Sequence, residues 1–467
     1  MTSRRRTLAT SSTPQSTPSI GPRTLFKDDS FVMAGSAVRW LGRFGWALGD
    51  QLLSSATNFL LALLVARTVG PRDLGAFTMA YATFTLSLGA VRAIAGDLLV
   101  VRYSAVSADE WRHGIERSAG TALMAGVLMG FACLVVAVTV GEPTRTVLNI
   151  VGISLPFLLV QDVWRFAFFA RGRGSAAFLN DLVWAVVIFA AFAVLRYSDT
   201  ASVAWLTLAW ATAGSLAAIV GVLQLRVFPS HPWAAIMWLR RHRDITPRFF
   251  AEFVVSTGVS SFTLFAIGAI AGLGELGRLR AGEIALGPLN VLFAGVGLVA
   301  TAEGVRLLHE SPERLAQGCR RLSALVTAGV LAWGAVILLL PRGIGQSVLR
   351  ANWDTASPLL PPLLIALAGY GSSFGPLTGL RSMAAATRSL RARCIDGLCT
   401  LVFGLTGAYL AGAMGVAWGY AVTGCLRSLN AWWQFSSALH ERQRRDDSTR
   451  RAETVVGARD FRPEGEG

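Results

Sequence analysis

The chain has 467 residues, 53% of them apolar and only 15% charged, with a net charge of +15. An apolar share of this size, gathered into long runs, excludes a soluble globular protein and defines a polytopic membrane protein. The positive charge does not point to nucleic acid, because the arginines are spread over loops and tails with no soluble domain to present them.

Residues 1–43 read as a cytosolic, mostly disordered tail. SRRRTLAT looks a little like a twin-arginine export signal, but the following SSTPQSTPSIGPRTLFKDD is polar and Pro-rich where a signal needs an apolar core. A helix needs about 20 apolar residues to cross hydrocarbon while satisfying its own backbone. Runs of that kind occur twelve times. The first six, at 44–66, 74–91, 118–140, 147–169, 179–196 and 202–225, make up an N-terminal lobe over 44–226. A cytosolic linker, 227–248, follows. Its Trp233, Ile236, Met237 and Trp238 suit the headgroup level of a short interfacial helix, and Arg240, Arg241 and Arg243 suit anionic lipid. The remaining runs, at 249–272, 282–303, 322–340, 359–380, 394–411 and 413–437, make up a C-terminal lobe over 249–437. Residues 438–467 read as a second disordered cytosolic tail.

The five cysteines lie mostly within the apolar runs and form no CxxC pair, so neither a zinc site nor a disulfide framework is indicated, and no metal or cofactor is expected. Counting loops alternately, the set that includes both tails holds 33 Lys and Arg and the other set 7, with Arg165, Arg196 and Arg427 inside the fourth, fifth and twelfth runs. Loops rich in these residues stay in the cytoplasm, which places both termini inside.

A shift of 202 residues lays Asp50 on Glu252, Ser54 on Ser256, and GPRDLG (70–75) on GLGELG (272–277). Further on, Arg173 and Asp181 fall on Arg388 and Asp396, and LAWATAGS (208–215) on WGYAVTGC (418–425). Three matches in one order argue for a duplicated six-helix unit. Six is even, so the two copies are parallel repeats related by an axis along the membrane normal. The glycine frames read as short outer turns.

Asp50, Gln51, Ser54, Ser55 and Asn58 share one helical face, and so do Glu252, Ser256, Thr257, Ser260 and Ser261. Such faces avoid lipid and turn toward a bundle interior or a watered cavity. Close packing through small hydroxyl residues is the plainer account of the Ser and Thr. It accounts less well for Asp50, Gln51 and Asn58, whose desolvation is harder to offset.

These residues carry a resemblance. The polar-faced first helix, LLVARTVGPRDLGAF and the second-helix end VRAIAGDLLVVR resemble the polysaccharide flippases of the multidrug, oligosaccharidyl-lipid and polysaccharide exporter (MOP) superfamily. GIGQSVLRANWDTASPLLPPLL is similar to the segment leading into the tenth helix. The resemblance covers residues 44–437. It implies a two-lobed plasma-membrane transporter that moves a polyprenyl-diphosphate-linked oligosaccharide by alternating access, working with a glycosyltransferase and a glycan polymerase. Other exporters of the superfamily, including lipid II flippases and cation-coupled drug exporters, are the alternative.

For such a cargo the cavity needs cations at diphosphate depth, and Arg suits because its planar fork binds phosphate oxygens bidentately. Arg92 ranks first, and Arg102, Arg165, Arg381 and Arg427 are secondary candidates. Snorkelling under the positive-inside rule is the competing account of each. Asp97 lies five residues from both Arg92 and Arg102 and reads either as cavity wall or as their structural ion-pair partner. Asp50 and Glu252 read either as a proton or Na⁺ site or as partners of inner-loop arginines. A candidate transport cavity is therefore Asp50, Gln51, Asn58, Arg92, Asp97 and Glu252, with Glu252 facing the others from the second lobe. A membrane enzyme is the rival class. The outer loops VGEPTRT, RYSDTA and GLGELGRLRAG are short, and no nucleophile motif, phosphate loop or metal-ligand cluster appears, so no catalytic residue is expected.

Overall fold

The computed structural model describes residues 29–231 and 233–460, so the expectations for 1–28 and 461–467 lie outside it. Residues 1–45 and 46–467 are separate compact units. The first contributes the opening of one helix from Asp29, and the second holds the bundle. Every regular element among the described residues is helical.

The first lobe comprises α1 (Asp29–Thr68), α2 (Pro71–Tyr103), α3 (Ala108–Thr139), α4 (Thr144–Ala170), α5 (Gly174–Tyr197) and α6 (Val203–Leu225). A short α7 (Ala234–Arg241) links it to α8 (Thr246–Ala271), α9 (Leu273–Ala285), α10 (Pro288–Glu310), α11 (Pro312–Leu338), α12 (Arg342–Leu349), α13 (Ala351–Ser382) and α14 (Ala386–Asp460). The starts follow from local chemistry. Pro71 opens α2 where its missing N–H costs nothing. The hydroxyls of Ser107, Ser202 and Ser311 accept backbone N–H groups in the first turns of α3, α6 and α11.

Among the described residues ten helices are long and apolar enough to span a membrane, and α9 with α10 adds a bent eleventh. The last span, Ala386–Arg444, is really two legs, because the backbone leaves helical geometry at Ala411 and Gly412. Gly412 takes a φ of +56°, which glycine adopts without strain. On either side of it Gly407 and Gly415 meet so closely that a Cβ on either would lie 2.2 Å or less from the other's carbonyl oxygen. Twelve legs therefore match the twelve apolar runs. Helix also extends into both expected tails, over 29–43 and 438–460. In the second of these the Arg, Gln, Glu and Ala are strong helix formers.

Both buried and lipid-facing surfaces of the lobes are apolar, as in helices that pack in lipid. Val127, Leu128, Phe131 and Val135 of α3 face outward, while Trp164, Phe168 and Trp210 fill the first lobe. The Trp164 indole donates to the Ala218 carbonyl at 3.1 Å, tying α4 to α6.

The repeated glycine frame has a second role beyond its turns. A Cβ on Gly75 would lie 1.9 Å from the Leu273 carbonyl oxygen, and one on Gly277 would lie 1.7 Å from that of Pro71. Since 71 and 75 map onto 273 and 277 by the same 202-residue shift, this is one reciprocal contact between the lobes. Asn352 strengthens it, its amide donating to the Ala66 and Val69 carbonyls at 2.6 and 2.8 Å. The lobes are thus sealed at the end that carries the glycine frames.

The linker helix departs from expectation at Trp238. That side chain is 1% exposed and its indole donates to the Ile94 carbonyl at 2.9 Å, so it belongs to the interior rather than to the headgroup level. Trp233 and Met237 stay exposed. The reason is local: Trp238 stacks on Tyr103, and the tilted His242 ring packs against both.

Candidate transport cavities

Three polar cavities lie within the bundle. The first, of about 100 Å³, is inside the first lobe. In α4, Gln161, Asp162 and Arg165 share a face by their i, i+1, i+4 spacing, and they meet Asp50 of α1, Arg92 of α2 and Asp181 of α5. Arg92 opens a π-helical turn, Arg92–Gly96, of the sort that often re-aims functional side chains. Its Nε and Nη2 donate to Asp162 Oδ2 and Oδ1 at 2.8 and 2.6 Å, a bidentate pair. Arg165 Nε donates to Asp50 Oδ2 at 2.9 Å and lies 3.5 Å from Asp181 Oδ2. The Gln161 amide donates to Asn180 and Asp181, each at 3.1 Å. Asp50 is fully buried, and its Oδ1 has no protein partner. The three carboxylates Asp50, Asp162 and Asp181 thus outnumber the two guanidinium groups by one.

The second cavity, about 280 Å³, lies inside the second lobe between α8, α13 and α14. Arg427 Nη1 donates to Asp396 Oδ2 at 2.7 Å and its Nε to Ser373 at 3.1 Å, while its guanidinium sits 4.3 Å from the Tyr370 ring centroid. Asp396 and Arg427 stand on the two legs of α14, brought opposite each other by the reversal at Gly412. Arg381 and Arg393 also line this cavity. Here arginines exceed carboxylates by two.

The third cavity, about 450 Å³, lies where the lobes meet. Ser55, Asn58 and Tyr81 come from the first lobe, and Asn290, Tyr420 and the Arg280–Glu283 pair, 2.9 Å apart, from the second.

The predicted residues divide among these places. Arg92 and Arg165 line the first cavity, Asp50 is buried behind it as the partner of Arg165, Asn58 lines the first and third, and Arg381 and Arg427 line the second. Gln51 is exposed, bonds only to Ser55 at 3.3 Å, and lines none of the three. Asp97 is half-buried and pairs with neither neighbouring arginine; Arg92 takes Asp162 and Arg102 takes Asp244. Glu252 is exposed and lines none of the three cavities. Asp162, Asp396, Arg393 and Arg280 were not among the expected site residues. An acid inside the apolar stretch LLVQDVWRF was the signal for Asp162.

An all-helical bundle of two lobes with interior polar cavities defines a multi-pass membrane protein with the fold of MOP-superfamily transporters. Three solved structures illustrate the likeness. One is a multidrug-resistance MATE family transporter of the MOP superfamily in an inward-facing conformation, at TM-score 0.62 and 14% identity over 84% of this chain and 96% of that one. A second is the lipid II flippase MurJ in an inward closed conformation, at TM-score 0.64 and 13% identity over 84% and 89%. The third is a MOP-superfamily transporter from Pyrococcus furiosus described by the reverse polarity of its binding pocket, at TM-score 0.50 and 13% identity over 85% and 95%. No protein-family model and no curated protein matches the sequence.

Proposed function

We propose that this chain is a plasma-membrane transporter, not an enzyme, that carries a polyprenyl-diphosphate-linked oligosaccharide between leaflets by alternating access of its two lobes. The interlobe cavity carries this reading. Its amides, hydroxyls and tyrosine rings, drawn from both lobes, offer the hydrogen bonds and apolar faces that sugar rings take up. A cavity at a lobe boundary opens when the lobes rock apart. The fold shared with a lipid II flippase and with drug exporters supports transport in general. In the first lobe the extra carboxylate makes Asp50 and Asp181 the place for a coupling proton or Na⁺. A glycosyltransferase that loads the carrier and a polymerase that consumes it are the partners this cargo requires.

The test is flipping of a fluorescent polyprenyl-diphosphate oligosaccharide in proteoliposomes. Wild type should equilibrate it across the bilayer, and Asn58→Leu with Asn290→Leu should slow it severely at unchanged reconstitution. Transport of cationic drugs with no movement of the lipid-linked glycan would reject the cargo in favour of drug export.

A further inference from the structure

The charged groups around the two lobe cavities differ in sign. Against one surplus carboxylate in the first-lobe cluster, the second-lobe cavity holds Arg381, Arg393 and Arg427 with Asp396 as the only acid among its described lining residues. Asp396 is engaged by Arg427, which Ser373 and the Tyr370 ring also fix. Arg381 and Arg393 have no ion pair and no side-chain hydrogen bond among the described residues, and neither has Ser389, one turn before Arg393 on α14. Unused donors thus converge on one cavity from α13 and α14. The third wall is the π-helical turn Val254–Gly258 of α8, which contributes Val255 and Ser256. Arg388 pairs with Glu441, Arg306 with Glu303 and Arg314 with Glu310; Arg320, Arg321, Arg342, Arg350 and Arg391 have no ion pair among the described residues either, but they do not line this cavity as Arg381 and Arg393 do.

We propose that the second-lobe cavity is a diphosphate site in which Arg381 and Arg393, with Ser389, bind the charged head of the lipid-linked cargo, while Asp396-held Arg427 and Tyr370 form its floor. Two planar forks unoccupied by protein carboxylates match two adjacent phosphate groups. Arg92, whose fork Asp162 fills, does not offer this. The assignment names the anion of the cargo proposed above and rests on that reading only for the lipid to which the diphosphate is attached.

The full chain in phosphatidylcholine nanodiscs is titrated with inorganic pyrophosphate by calorimetry, with orthophosphate and discs containing phosphatidylglycerol as separate arms. Pyrophosphate should bind, orthophosphate more weakly. The Arg381→Gln/Arg393→Gln double variant should lose at least about tenfold in affinity, since charge-assisted hydrogen bonds are removed. Arg306→Gln, outside the cavity, should lose none. The Arg381→Lys/Arg393→Lys variant keeps charge and topology but not the forks. It should bind measurably more weakly than wild type, and it decides the matter if the glutamine variant does not fold. Undiminished binding in either folded double variant overturns the site, and so does abolition of pyrophosphate binding by phosphatidylglycerol, which would mark an ordinary lipid site. Binding is read without transport: a chain that binds pyrophosphate at these arginines yet flips no glycan keeps the site and loses the cargo, and one that flips glycan with both arginines replaced does the reverse.

Discussion

Arg165 is gripped by a fully buried carboxylate and by Asp181, and only 15% of its side chain is exposed, whereas 36% of Arg92 is exposed at its cavity. Removing one partner of a buried pair strands the other charge at a cost of about 3–5 kcal/mol. Arg165→Gln strands Asp50 and Asp181 together, so it should lower membrane abundance and unfolding temperature. Arg92→Gln, at a wetter position, should reduce transport with abundance largely kept. Whether Arg92 serves Asp162 or the cargo is separable. If the bidentate pair is its role, Arg92→Lys and Asp162→Asn should impair transport to a similar degree. If Arg92 binds the diphosphate directly, Asp162→Asn should free it and leave transport intact. Reconstituted transport with protein amount measured alongside distinguishes the two. The sequence marked these arginines as candidates but not their partners, because Asp50 and Arg165 stand 115 residues apart and Arg92 and Asp162 stand 70 apart. Helical periodicity assigns a face; it does not say which helix that face meets.

At the scale of the helix, the crossing of α2 and α9 at Gly75 and Gly277 has no room for a side chain, since a Cβ on either would fall inside the other's backbone. Gly75→Ala and Gly277→Ala should each force the sealed end apart. A cysteine at Thr68, on the last turn of α1, should then become more reactive toward an impermeant maleimide in both variants. Equal reactivity with wild type would show that the contact is not what closes this end. The periodicity of the frame was plain in the sequence, but read alone it indicated turns, and only the opposed packing shows why both copies keep their last glycine. The linker offers a pH test. Burial holds the His242 imidazole below its ordinary pKa, with Arg102 and Arg241 acting in the same direction and the hydrogen bond to the Trp238 carbonyl and Asp244 opposing. The unfolded segment therefore binds the proton first. Stability from this site is full above about pH 6.5 and is lost as pH falls toward the lower folded value. Hydrogen exchange over residues 234–246, corrected for intrinsic rate, should quicken at pH 5.5 relative to pH 7.5. His242→Gln should remove most of that difference, and an unchanged difference in the variant would place the sensitivity elsewhere.

Across the whole molecule, apolar runs foretold the helical legs because lipid leaves a spanning segment no other way to satisfy its backbone. Their ends were less legible. α2 continues to Tyr103 past Arg92, Asp97 and Arg102, since Asp162 and Asp244 compensate two of those charges from other parts of the fold. The bundle also sorts its connections into two ends. Arg72 donates to the Glu142 carbonyl at 3.0 Å and Glu275 accepts from the Ala413 N–H at 2.8 Å at the sealed end. At the other, Ser230 N–H donates to the Glu116 carbonyl at 2.8 Å and Arg112 to that of Arg226, also at 2.8 Å. The second end belongs to the connections that, with the tails, hold 33 of the 43 Lys and Arg, so the positive-inside rule predicts that it faces the cytoplasm. Reporter fusions after residues 112, 240 and 440 should therefore all report cytoplasm, and fusions near 72, 145 and 278 the outside. The fusion at 240 decides most. It follows six legs of the first lobe, and a cytoplasmic signal there requires that lobe to be even and the repeats parallel. An external signal at 240 with a cytoplasmic one at 112 would leave an odd number of crossings between them and would break the two-lobe arrangement on which alternating access depends.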